Sequence, residues 1–185
     1  MQSTAGPRLV IVSGAPATGK TTLAEHVSRS LGLPLLAKDE LKEAVADQLG
    51  APPDVIESQR LGLAAYAALF AVARRLLQAG VGVIIESNFR RGQSEPELHP
   101  LVAVASARLI HCSAEPPTIQ ERYRDRYLPG ARHAAHLDAD RAQALREDLA
   151  AGLFEPLQLD CPCLVVHTDG DYRPRLDEIL RFAAA

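Results

Sequence analysis

Tryptophan is absent from this 185-residue sequence, methionine occurs once, and only 4% of the residues are aromatic. With so few flat rings, the chain offers few stacking platforms for a nucleic-acid strand. The net charge of −3 leaves no broad basic surface to neutralise a phosphate backbone or an anionic membrane, so any basic chemistry must be local. The three cysteines, two of them in Cys161-Pro162-Cys163, form an odd set that builds no disulfide framework and points to a reducing compartment. Long apolar runs are also missing. Residues 61–73 are alanine-rich, end in Arg74-Arg75 and fall short of the roughly 20 residues a membrane span needs. Residues 9–12 give way at once to Ser13-Gly14, not to the longer apolar region of a signal peptide. The expectation is a cytoplasmic protein with no membrane partner. Lysine is scarce as well: Lys20, Lys38 and Lys42 are the only three, in a chain that otherwise uses arginine.

What is present is a core. A chain that is 47% hydrophobic and of this length supports one compact domain, taken as 1–185. Residues 9–12 form a short continuous apolar run, the pattern of a strand covered on both faces, and lead through a glycine turn into a helical stretch at 20–31. The alternation then repeats. Strands are expected at 33–37, 81–85, 108–112 and 163–167, and helices at 39–49, 98–105, 117–127, 138–151 and 174–182. A long helix begins after Asp54, where Glu57 three residues on completes a capping-box pattern, and Gly80 ends it. This order implies an α/β fold, a parallel sheet with helices on both faces.

The stretch Gly14-Ala15-Pro16-Ala17-Thr18-Gly19-Lys20-Thr21 has two glycines with four residues between them, then lysine, then a hydroxyl. A loop wrapped round phosphates must aim successive backbone N–H groups inward, and glycine permits the close approach and dihedrals this demands. The helix that starts near Gly19 adds its positive end beneath the anion. Gly14, Ala15, Ala17, Thr18, Gly19, Lys20, Thr21 and Thr22 are therefore the expected nucleotide-binding residues, with Lys20 on the β- and γ-phosphates and the Thr21 hydroxyl on Mg2+. Guanine selection usually needs an Asn-Lys-x-Asp or Thr-Lys-x-Asp segment late in the chain. No lysine follows Lys42, and Asn88 is the sole asparagine. ATP is favoured by elimination.

The loop at 14–22, Lys38-Asp39-Glu40-Leu41-Lys42 after the second strand, Glu86-Ser87-Asn88-Phe89 at a strand end, and the arginine-rich stretch 122–133 together resemble the small P-loop kinases. That AAA-type ATP-binding group includes chloramphenicol phosphotransferase, the zeta toxins, gluconate kinase-like enzymes and polynucleotide 5′-kinase domains. The resemblance covers most of the chain. It implies a P-loop NTPase three-layer sandwich, a five-stranded parallel sheet with helices on both faces and a lid at about 122–137. It also implies that an aspartate after the second strand faces the acceptor hydroxyl and that a basic residue three positions on holds the substrate; Asp39 and Lys42 occupy those positions. Asp39 has a physical case of its own, since a carboxylate can orient an attacking hydroxyl and accept its proton. The alternative for Asp39 is a helix N-cap.

Glu86 ends the third strand beside the phosphate loop, where it can serve the substrate or hold magnesium through water. Related kinases more often place aspartate there. Asn88 either bonds the acceptor or is a turn residue in a left-handed conformation. Arg122 and Arg126 are four apart on one helix face, as phosphate clamps require, the alternative being surface pairs with Glu121 and Asp125. By resemblance this is the lid, with Pro129-Gly130 as hinge, Arg126 catalytic and Arg132 on the nucleotide, while Thr168-Asp169-Gly170 borders the adenine.

Three further features are expected to be structural. His133 and His136 could meet on one helical turn, but no third metal ligand is signalled. Cys161 and Cys163 are expected as buried thiols. Leu61, Leu63, Tyr66, Leu69, Phe70 and Leu77 are expected as core, part of which walls the acceptor site. The expected activity is ATP- and Mg2+-dependent transfer of a phosphoryl group to a small-molecule hydroxyl. A polynucleotide 5′-hydroxyl kinase and a regulatory module without an acceptor are the alternatives. Monomer and homodimer stay open.

Overall fold

A computed structural model describes residues 6–125, 133–137 and 142–185. Five strands, β1 (Arg8–Gly14), β2 (Leu35–Ala37), β3 (Val83–Glu86), β4 (Ser106–Ser113) and β5 (Cys163–His167), form one sheet in the order β2-β3-β1-β4-β5. Every neighbouring pair is parallel. The apolar run of β1 is continuous because both of its faces are covered: Leu9 and Ile11 enter one core cluster, Val10 and Val12 the other.

The first cluster packs α3 (Val55–Gln78) and α4 (Glu95–Val102) on one face through Leu69, Phe70, Leu77, Leu98 and Leu101. The second packs α1 (Lys20–Leu31) and α7 (Leu176–Ala184) on the other through Leu23, Val27 and Ile179. Together these make the expected three layers. A third, smaller cluster joins Ala15 and Ala17 to Ile119 and Tyr123 of α5 (Pro116–Asp125), Leu145 of α6 (Ala142–Ala150) and Phe154. α2 (Lys38–Leu49) follows β2 without a break. The carboxyl ends of all five strands share one edge, where open α/β sheets bind ligands.

Several expectations shift. β3 begins at Val83, two residues later than expected, and α4 starts earlier than 98 because Pro96 suits a helix's first turn. Asp54 does cap α3, its Oδ1 accepting from the Glu57 N–H at 2.9 Å. Glu57 Oε1 instead takes Arg60, so only half of the expected box forms. α3, at 24 residues, is longer than the apolar run within it and meets a membrane span's length and composition; Ala65, Leu69, Phe70, Ala73 and Leu77 bury one of its faces. Leu63 of the expected core stripe is 70% exposed on the other face. Cys163 is exposed, against expectation, because β5 is an edge strand, and Cys161, before that strand, is half-buried against the first core cluster; the buried thiol is Cys112, whose pKa burial pushes up to about 12.

Candidate active site

β1 ends at Gly14, whose φ of 139° few side chains tolerate and where a Cβ would sit 2.1 Å from the Cys112 carbonyl oxygen. Gly19, at φ 72°, caps α1 from the left-handed region. Between them Ala17 has φ 67°, the sole non-glycine at positive φ among the described residues. The loop closes on one carbonyl: Ala15 O accepts from Thr18 Oγ1 and from Lys20 Nζ, both at 2.8 Å. Lys20 is thereby held buried under the loop at the head of α1.

On the β3 side, sheet register pairs Val12 with Glu86 and Glu86 with Ala37. One row of Cα atoms therefore joins the strand that enters the phosphate loop, the strand end bearing Glu86 and the strand that leads into Asp39. Thr21 Oγ1 donates to Glu86 Oε2 at 3.2 Å. Burial raises the Glu86 pKa; Lys20 opposes this, Asp39 raises it further, the Thr21 bond opposes and Glu40 adds. A hydroxyl and a carboxylate in contact are hard oxygen donors, a set that suits Mg2+.

Asp39 sits in the first turn of α2, and Ala37 holds the N-cap position without a side-chain bond, which excludes the capping alternative. Its Oδ1 accepts from Lys38 Nζ at 3.0 Å. Lys42 is buried, with Nζ 2.6 Å from Ser58 Oγ, and that hydroxyl donates to the Ala135 carbonyl at 3.0 Å. Over this edge stands Tyr66 of α3. Its hydroxyl accepts from Ser87 Oγ at 2.7 Å and donates to the Asn88 carbonyl at 3.2 Å; burial pushes its pKa up to about 12, so it stays a neutral donor. Asn88 is not left-handed, which removes its turn alternative.

On the β5 side a cavity of about 400 Å3 is lined by Ala17, Gly19, Thr22, Arg122, Thr168, Gly170 and Tyr172. Thr168 ties this wall to the phosphate loop, its Oγ1 donating toward Thr18 O at 2.9 Å and Ser113 O at 3.2 Å. Arg122 Nη2 donates to the Thr168 carbonyl at 2.6 Å, so it is fixed to the cavity wall and does not follow the surface-pair alternative with Glu121. Asp169 Oδ1 accepts from the Glu115 N–H at 2.7 Å, the main cause of its lowered pKa.

A family of AAA domains has a model that matches residues 9–151. A crystal structure of a kinase candidate from Chloroflexus aurantiacus is 36% identical, with a TM-score of 0.85 over 96% of this chain and 97% of that one. The chain belongs to the small P-loop kinases of this AAA-domain family. Two more distant structures share the P-loop kinase fold. A sugar kinase from Janibacter is 20% identical with a TM-score of 0.62, covering 96% of this chain and 95% of that one. An APS kinase from Mycobacterium tuberculosis, in complex with AMPPNP and APS, is 16% identical with a TM-score of 0.56, covering 98% and 99%. No curated relative matches the chain.

Against this kinase fold, Gly14, Ala15, Ala17, Thr18, Gly19, Lys20, Thr21 and Thr22 fall in or at the foot of the loop, Asp39 and Glu86 flank it, and Arg122 and Thr168 line the cavity. Arg126 and Arg132 lie outside the described residues, as do Pro129 and Gly130 of the hinge. His133 and His136 do not face a common metal: His133 Nε2 is 3.0 Å from Asp47 Oδ1 and His136 Nε2 is 2.8 Å from Glu43 Oε1, both on α2. No metal-ligand group of three appears among the described residues. Lys38, Tyr66, Ser87 and Tyr172 escaped the sequence reading as site residues. Lys38 carried a signal, as one of three lysines kept in an arginine-rich chain, whereas Tyr66 was visible only within a core stripe of which some unspecified part walls the acceptor site.

Proposed function

We propose that this protein is an ATP-dependent kinase that transfers the γ-phosphoryl group to the hydroxyl of a small molecule. The observation that carries the reading is the row Val12, Glu86, Ala37, which brings phosphate loop, Glu86 and Asp39 to one edge. The nucleotide base takes the cavity of Arg122, Thr168 and Tyr172, and its phosphates run into the N–H groups of the loop. Thr21 and Glu86 are the residues that would hold Mg2+, which when bound neutralises phosphate charge. Asp39 orients the acceptor hydroxyl and takes its proton as the new oxygen–phosphorus bond forms and the bond to the β-phosphate breaks, releasing ADP. Lys20 and Arg122 supply positive charge to the phosphates. The named activities of the sugar kinase and the APS kinase, both phosphoryl transfers, agree with this class.

The test is incubation with Mg2+ and γ-labelled ATP against sugars, sugar acids, antibiotics, nucleosides and a 5′-hydroxyl oligonucleotide. Label on one small-molecule class supports the reading. Label on the oligonucleotide alone overturns it in favour of strand-end phosphorylation. Asp39→Asn is expected to lower transfer at least about a hundredfold while ATP affinity holds, the range of a general base; unchanged transfer removes Asp39 from the chemistry.

A further inference from the structure

The Lys38 side chain lies across α3 in a notch made by two residues of one helix face. Gly62 leaves the space: a Cβ added there would meet Lys38 Nζ at 3.8 Å and Cε at 3.9 Å. Four residues on, on the same face, the Tyr66 ring carries the Lys38 ammonium at 5.5 Å from its centroid. That ring is itself fixed. It stacks on Phe70 with centroids 6.1 Å apart, tilts against the fully buried Phe89 at 6.1 Å, and is pinned at its hydroxyl by Ser87 and Asn88. Lys38 then reaches Asp39 Oδ1 at 3.0 Å, with 14% of the lysine side chain exposed. A glycine in the interior of a helix is unfavourable unless the missing side chain is needed, and here a longer side chain would displace the lysine.

We propose that Tyr66 and Lys38 form a couple that positions Asp39: the ring fixes the ammonium, and the ammonium fixes the rotation of the carboxylate that meets the acceptor hydroxyl. This rests on the reading of Asp39 as the base. Lys38 and Tyr66 are positioning residues; the chemistry stays with Asp39. An ammonium over a ring face is attracted by the ring quadrupole, and partial burial strengthens that attraction. Misplacing a catalytic group by a fraction of a bond length is felt in turnover more than in nucleotide binding.

The probe is Mg2+-ATP with water as acceptor, which needs no identified substrate, read beside a proton–carbon spectrum of protein labelled at lysine Cε. The chain has three lysines, so Lys38→Met assigns the signal. The Lys38 methylene is expected upfield in the wild type and in Tyr66→Phe, through the ring current, and back at the ordinary position in Tyr66→Leu and Gly62→Leu. Lys38→Met and Tyr66→Leu are each expected to lower kcat about tenfold with KM for ATP unchanged, and the double variant to fall no further than the worse single one, the mark of coupled residues. Losses that multiply in the double variant, a Lys38 signal indifferent to Tyr66→Leu, or a change confined to KM would overturn the couple. Tyr66→Phe, which keeps the ring, reports on the couple even where Tyr66→Leu fails to fold. Asp39→Asn hydrolysing ATP at the wild-type rate would sink the base reading, an outcome the lysine spectra do not share.

Discussion

His111 lies on β4 beside Ser13 of β1 in the sheet register, 5% exposed, with its Nδ1 unpartnered among the described residues. Burial, with a smaller push from the Lys20 charge, lowers its pKa from 6.5 to about 4. The unfolded chain therefore binds a proton near pH 6.5 that the folded chain refuses until near pH 4. Stability contributed by the neutral imidazole is complete above the unfolded value and drains away as the pH falls through that window. At 1.36 kcal/mol per pH unit, the shift corresponds to roughly 3 kcal/mol in all, a sizeable share of the 5–15 kcal/mol typical of a domain. Replacing His111 by leucine removes the titration and leaves the acidic side chains alone. Urea unfolding at pH 7 and pH 4.5 is then expected to show the wild type losing about 2–3 kcal/mol more than His111→Leu over that interval. Equal losses in the two proteins would mean that His111 protonates in the folded state as readily as in the unfolded one, and the burial argument would be wrong.

Two further predictions concern the phosphate loop. Gly14→Ala sets a Cβ 2.1 Å from the Cys112 carbonyl at a φ of 139°, so the loop must move; ATP affinity by calorimetry should fall at least about tenfold and the melting temperature should drop, and retention of both would contradict the close approach. Thr168→Val removes the hydroxyl that meets the Thr18 carbonyl at 2.9 Å; the cost should be about 1–3 kcal/mol in urea unfolding, and a change within error would show that the cavity wall is held by other contacts.

The parts of this site that could be read from the chain are those whose neighbours in space are neighbours in sequence. Strand, loop and helix at 8–31 contain their own explanation, because Gly14, Gly19, Lys20 and Thr21 all fall within the single loop and helix start that follow β1. Asp39 and Glu86 were legible for a related reason: each follows directly from a strand end, and strand ends share an edge in a parallel sheet. Tyr66 was not, since its apolar periodicity in α3 identifies a core face and says nothing of the Ser87 and Lys38 that the fold brings to its hydroxyl and ring. The partners of the two histidines were not legible either. Their spacing suggested a shared turn, yet each meets a carboxylate on α2 that only the tertiary fold supplies. Lys42 has a place after the second strand that suggests a ligand contact, while its buried bond to Ser58 depends on how α2 and α3 pack and was not legible in the chain.

The three-residue strand β2 has a consequence for how such a protein diversifies. It joins the sheet through three register pairs with β3 and nothing else, and everything between it and β3 is the helical hairpin of α2 and α3. Under the proposed function, donor handling falls to β1, α1, α5 and the β5 loop, none of which belongs to that hairpin. On that reading residues 38–78 would act as a cassette beside the phosphate loop, whose side chains facing the acceptor could be exchanged while the loop keeps its shape. Within it, the contacts that link Gly62, Tyr66, Lys38 and Asp39 would, under the proposed couple, require a change of substrate to preserve their spacing and alter the helix faces around them.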